Sequence, residues 1–204
     1  MKIVSKSFKE GFYYKPRVDL ELLREYHEGL IALSACLAGE VARFLNRGMY
    51  PDAKKAALRY QEIFGEGNFF LELQYQDIFG KGNFFLELQD HGIPEQQNVN
   101  QQLLRMHQET GIDLVATNDI HYTYKEDADP HDILLCLQTG KKLSDTDRMR
   151  YEGGQYYVKS EQELAALFPY ALEALENTHK IAERCHVEIE FGVTKLPRFD
   201  VPEG

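Results

Sequence analysis

No run of residues in this sequence is long and apolar enough to cross a membrane, which takes about 20 consecutive apolar residues. The amino terminus, Met1-Lys2-Ile3-Val4-Ser5-Lys6-Ser7, turns polar at once and lacks the architecture of a secretory signal. Cysteine is scarce: Cys36, Cys136 and Cys185 are far apart, odd in number, and form no Cys-x-x-Cys pair. That argues against a disulfide framework and a zinc finger, and makes a reduced, cytoplasmic setting the default. Positive charge is also short. Lys and Arg total 23 against 33 Asp and Glu, a net charge of -10, so a broad basic face for gripping nucleic acid is not expected. A site where bound metal ions neutralise a substrate phosphate remains compatible with that balance. Neither a phosphate-cradling glycine loop nor a Ser-His-Asp order is present.

What is present is an alternation of helical and strand-like patterns. Asp19 is placed to cap a helix over residues 20–26 that Gly29 stops, and residues 30–34 read as a short buried strand. Residues 39–47 are helical, and Pro51 opens an amphipathic helix to about Phe64. Residues 69–73 and 84–89 are strand-like, and Pro94 starts a helix that Gly111 ends. Residues 113–117 form the next strand. Helices follow at residues 129–137 and 161–185, the second broken near Pro169. This order predicts an α/β architecture with parallel strands, too few to close an eight-stranded barrel.

Residues 60–74 recur as residues 75–89, with only Glu62/Asp77 and Glu66/Lys81 differing. Each copy carries a helix end, a glycine turn and one strand, and a single back-to-back copy does not make a solenoid. The second copy is expected to supply the strand of the sheet, because residues 84–89 run directly into Asp90-His91-Gly92 and the Pro94 helix.

Three strand ends then carry candidate chemistry: Cys36 after the first, His91 after residues 84–89, and Asp119 with His121 after the strand ending at Thr117. Parallel strands present their C-terminal ends on one face, so these side chains are expected to converge. Cysteine, imidazole and carboxylate together suit Zn²⁺ and related ions. Each also has a plainer reading: Cys36 as a small buried hydrophobe, His91 as a turn residue, and Asn118-Asp119 as an Asx turn beside an exposed histidine. His131-Asp132 near a helix start reads as capping or surface, Cys136 as core, and His27, His107 and His179 as solvated.

Several blocks carry a resemblance. They are residues 7–17 (SFKEGFYYKPR), residues 33–40 (LSACLAGE), residues 88–96 (LQDHGIPEQ), residues 116–122 (ATNDIHY), residues 131–141 (HDILLCLQTGK) and residues 148–152 (RMRYE). Together they resemble the PHP (polymerase and histidinol phosphatase) domain of the bacterial replicative DNA polymerase III alpha subunits, in order and along the whole chain apart from one repeat copy. The resemblance implies a distorted seven-stranded (β/α) TIM-like barrel with a metal cluster at the strand C-termini. Carried over by motif, Cys36, Asp119 and His121 match metal ligands, and His91, Asn118 and Glu40 are supporting candidates beside them. Such a domain normally opens with a His-x-His strand and further His, Asp and Glu ligands, which this sequence lacks. Residues 1–204 are therefore expected to form one partial PHP domain, its C-terminal two-thirds, with residues 60–74 and 75–89 as a tandem duplicate.

The implied cofactors are divalent metal ions, Zn, Mn or Mg, at a site incomplete in this chain. The implied role is a metal-dependent phosphoesterase, in particular a 3′–5′ exonuclease, or a metal-stabilised scaffold, within a DNA-replicating polymerase polypeptide. The implied partners are the palm and thumb of that polypeptide, other replisome subunits and DNA, with no membrane and no strong direct DNA binding by this acidic chain. Alone, the chain is expected to lack polymerase activity and to have little nuclease activity. A purely structural interaction domain and a free-standing PHP phosphoesterase of the histidinol-phosphatase type are the competing readings.

Overall fold

The computed structural model describes residues 1–35, 37–65 and 82–193. The first expected strand of the duplicate, residues 69–73, and Cys36 lie outside the described residues. Eight helices are described: α1 (Lys2–Lys9), α2 (Leu20–Tyr26), α3 (Glu40–Asn46), α4 (Tyr50–Phe64), α5 (Pro94–Thr110), α6 (Ala128–Thr139), α7 (Glu161–Leu167) and α8 (Leu172–Arg184). The strands are β1 (Ala32–Leu33), β2 (Phe84–Leu88) and β3 (Leu114–Ala116).

Local chemistry explains most boundaries. The Asp19 carboxylate accepts a 2.8 Å bond from the Leu22 amide and starts α2. Proline occupies the first turn of α4 and α5, where its missing N–H is no loss. Gly111 and Gly140 end α5 and α6 in the left-handed conformation that spares glycine a Cβ clash. Ser160 and Glu163 form a reciprocal capping box at the start of α7. The break between α7 and α8 falls around Pro169, as the sequence led one to expect.

The strands form one parallel sheet in the order β1-β2-β3, with Ala32 opposite Phe84 and Leu86 opposite Leu114. The second repeat copy thus contributes the central strand. Helices α3 and α4 connect β1 to β2 along the described chain, and α5 connects β2 to β3, as parallel pairing requires a crossover. Side chains alternate along β2. Phe84, Leu86 and Leu88 enter the core with Val41 and Leu45 of α3, Ala53 and Ala57 of α4, and Leu103 and Met106 of α5. Leu86 and Leu88 are fully buried, each worth about 1.5–3 kcal/mol relative to exposure. Leu114 and Ala116 of β3 join the same core, as do Ala171 and Ala174.

On α8, the buried Asn177 amide donates to the Leu114 carbonyl at 2.8 Å. Helix α1 was not anticipated from its mostly polar sequence. Its Lys6 ammonium bonds the Glu10 carboxylate one turn away. Among the described residues, no helix is long and apolar enough to cross a membrane.

Candidate metal centre at the strand ends

Beyond Ala116 the chain leaves β3 and turns sharply at Asn118-Asp119. Asp119 adopts φ +44, a left-handed conformation that a short polar side chain tolerates at a cost of about 1–3 kcal/mol. Its neighbours hold it there. Asn118 is 7% exposed and uses every side-chain polar atom. Its Nδ2 donates to the carbonyls of Tyr157 at 2.6 Å and Gln155 at 3.1 Å, and its Oδ1 accepts from Lys159 Nζ at 3.1 Å. The amide orientation is fixed by those partners, since carbonyls only accept and an ammonium only donates.

His91 supports the same turn from β2. Its Nε2–H donates to the Asn118 carbonyl at 3.0 Å, which leaves Nδ1 to accept from Gln96 Nε2 at 2.9 Å. The His91 amide also donates to Gln96 Oε1 at 2.9 Å, and the ring stacks on Tyr156 at 4.1 Å between centroids. Both ring nitrogens are therefore engaged, so His91 is built as a prop rather than a ligand.

The turn brings Asp119 and His121 together. The His121 Nδ1–H donates to the Asp119 carbonyl at 2.7 Å and lies 3.9 Å from its carboxylate Oδ1. A backbone acceptor on one ring nitrogen fixes the tautomer and leaves Nε2 with its lone pair for an electrophile, a common arrangement behind metal-bound histidines. The His121 amide is anchored to the Tyr156 carbonyl at 2.8 Å. Its ring lies against Tyr151 at 4.1 Å, with His131 at 5.7 Å. Both side chains keep access to solvent, 43% for Asp119 and 28% for His121.

Asp119 and His121 are thus adjacent, a carboxylate and an imidazole presented by one turn. No group of three or more His, Cys, Asp or Glu suited to a metal ion occurs among the described residues. Glu40 serves another contact: its carboxylate accepts from Arg59 at 2.7 Å and Tyr60 at 2.8 Å, tying α3 to α4. Burial pushes the Glu40 carboxyl up, but the Tyr60 and Arg59 bonds outweigh it and hold the group below its ordinary range.

Several supporting residues were not read from the sequence. Burial holds the Lys159 ammonium below the ordinary lysine range. That ammonium also bonds the Gln155 carbonyl and sits 4.3 Å over the Tyr157 ring. The Tyr157 hydroxyl, with Ser160, holds the Glu163 carboxyl down to about 2. His131 is not a solvated cap, because its ring packs near Tyr122 and Tyr151 at 5.3 Å from each. Asp132 grips Arg148 in a two-pronged ion pair at 2.5 and 2.6 Å, and the Arg148 side chain is 1% exposed. Cys136 is buried, as expected of a core residue. A lone acidic residue inside the apolar run Phe84-Phe85-Leu86-Glu87-Leu88 was the one visible signal that β2 carries polar work.

Residues 1–76 match the PHP domain family. Proteins named DNA polymerase III subunit alpha are similar along nearly the whole chain. The one from Treponema pallidum is 41% identical over 202 residues, 99% of this chain and 16% of its own length. That of Deinococcus radiodurans is 40% identical over 209 residues, 100% of this chain and 14% of its own length. That of Thermus aquaticus is 39% identical over 210 residues, 100% of this chain and 16% of its own length. The chain therefore spans only about one-sixth of the relatives it matches. By these matches the chain is similar along nearly its whole length to a segment of DNA polymerase III alpha subunits, and over its first 76 residues to the PHP domain family.

Proposed function

We propose that this chain is a metal-binding part of a PHP barrel that stands beside the nucleotide-adding core of a replicative DNA polymerase. The observation that carries the reading is the Asn118–His121 turn. It sits at the C-terminal edge of a parallel sheet, pairs a carboxylate with a tautomer-fixed imidazole, and is held by bonds from β2 and from residues 155–159. In α/β sheets that edge is where ligands bind. Asp119 and His121 would supply two ligands, and the sequence motif adds Cys36. The mixed donor set favours Zn²⁺ or Mn²⁺ over Mg²⁺.

Such an ion would tie the strand ends together and stabilise the barrel as a scaffold for the remaining polymerase chain and the replisome. A second reading, metal-dependent phosphodiester hydrolysis, draws on the solvent access of Asp119 and His121, which a closed structural site would not need. When bound, the ion supplies Lewis acidity toward phosphoryl oxygens. In either case Asp119 orients His121 through its backbone carbonyl.

Competitive titration of the chain with Zn²⁺ and Mn²⁺, in parallel with Asp119→Asn and His121→Ala, tests the reading. Binding that both substitutions weaken supports it, and binding indifferent to both removes it. Chelator-sensitive digestion of single-stranded DNA by the same protein would favour the hydrolytic reading over the scaffold.

A further inference from the structure

Glu87 is the one charged side chain on β2, and its contacts run sideways rather than into the helical core. Its Oε2 accepts from the Ala35 amide at 3.1 Å, just beyond β1. Its Oε1 accepts from Thr117 Oγ1 at 2.5 Å, just beyond β3, and from Gln89 Nε2 at 3.3 Å on its own chain. The Glu87 amide donates to Ser34 Oγ at 2.9 Å. A single carboxylate in the central strand thus bonds the chain where it leaves both neighbouring strands. Ala35 is left-handed at φ +65 and immediately precedes Cys36. Thr117 immediately precedes the Asn118-Asp119 turn. No Lys or Arg pairs with Glu87 among the described residues, so the carboxylate is spent on donors that fix chain geometry rather than on a counter-ion.

We propose that Glu87 is a positioning residue for the metal centre, setting the exit of β3 through Thr117 so that Asp119 and His121 present their donors to one ion. This rests on the metal-centre reading above and names a residue which that reading does not need as a ligand. Sheet cohesion alone does not require a charged group here, since the main-chain ladder already joins β2 to β3 at Leu86, Glu87 and Leu88. Thr117 is the transmitting element: its hydroxyl is clamped between Glu87 and Gln89, whose Nε2 lies 3.1 Å from Thr117 Oγ1. The carboxylate on the far side of the clamp also holds the chain before Cys36.

The test measures Zn²⁺ affinity of the full 204-residue chain by chelator competition for wild type, Glu87→Gln, Thr117→Val and Thr117→Ser, with metal-free melting recorded alongside. Residues that orient ligands without touching the metal typically change affinity about 10–100-fold when replaced. The expected result is a loss of that size in Glu87→Gln and in Thr117→Val, and near-wild-type affinity in Thr117→Ser, which keeps the hydroxyl. Should Glu87→Gln fail to fold, the two Thr117 variants decide the matter alone. Wild-type affinity in a folded Thr117→Val overturns the proposal, and so does an equal loss in Thr117→Ser. An affinity loss confined to Glu87→Gln would assign the effect to charge and would likewise overturn it. If the wild-type chain binds no metal, the metal-centre reading itself fails, which is a different result from variants that bind as wild type does.

Discussion

Replacing Asn118 probes the turn most sharply, because each of its side-chain atoms has a named partner. Asn118→Ala orphans the carbonyls of Tyr157 and Gln155, bonded at 2.6 and 3.1 Å, and removes an acceptor from Lys159. An unsatisfied buried polar group costs about 1–3 kcal/mol. Tyr157 is buried whereas Gln155 is half-buried and recovers water, so the sum comes to about 3 kcal/mol. For a chain of this size each kcal/mol moves the melting point by about 2–4 °C, giving a drop of roughly 6–12 °C. Asn118→Asp has nearly the same shape and adds a charge near Lys159, yet turns a carboxylate oxygen toward two carbonyl oxygens. It should melt at least as low as the alanine variant at neutral pH. Thermal unfolding followed by circular dichroism reads both. An aspartate variant as stable as wild type would refute the donor role of Nδ2 and with it the account of how the Asp119 turn is held.

Three further outcomes are expected. His91→Phe keeps the stack on Tyr156 but strands the Asn118 carbonyl and Gln96, so denaturant unfolding should show a loss of about 1–3 kcal/mol; no change would mean that the stack alone supports the turn. Glu163 is held down to about 2, below its unfolded value of about 4.3, so its stabilisation is complete above that value and fades as pH falls toward 2. The melting difference between wild type and Glu163→Gln should therefore be largest near neutral pH and shrink below about pH 4; a gap unchanged down to pH 2 would contradict it. Deleting residues 60–74 joins Arg59 to Tyr75, whose following residues repeat the deleted ones almost unchanged. The shortened chain should fold and melt no lower than the parent, and a lower melting point would mean that residues 75–79 do not take over the place of residues 60–64, whose Ile63 and Phe64 lie in the core.

Elements announced by local chemistry were legible in the sequence. Asp19, Pro94 and Gly111 act through bonds or backbone angles a few residues away, and the helices they bound lie close to where the pattern put them. Strand lengths were less legible: residues 30–34 and 113–117 read as strands of five, yet regular pairing is confined to Ala32–Leu33 and Leu114–Ala116. At Ala35 a side-chain bond to Glu87 follows the last ladder bond, and at Thr117 the two coincide, the amide bonding the Leu88 carbonyl at 3.0 Å while the hydroxyl bonds Glu87. Within the site, the meeting of Asp119 and His121 follows from their spacing of two residues. The props do not follow from any spacing, because Lys159 and Tyr157 reach Asn118 from about 40 residues away and by fold alone. His131 was read as surface because nothing near it in sequence reveals the rings of Tyr122, His121 and Tyr151 around it.

The most direct test of the metal centre is anomalous diffraction at the zinc edge from crystals of the chain equilibrated with Zn²⁺. A peak is expected about 2.0–2.2 Å from both an Asp119 carboxylate oxygen and His121 Nε2, with Nδ1 still bonded to the Asp119 carbonyl. A peak held instead by His91, or by the exposed His179 and Glu183 pair, with nothing at Asp119 and His121, would contradict it.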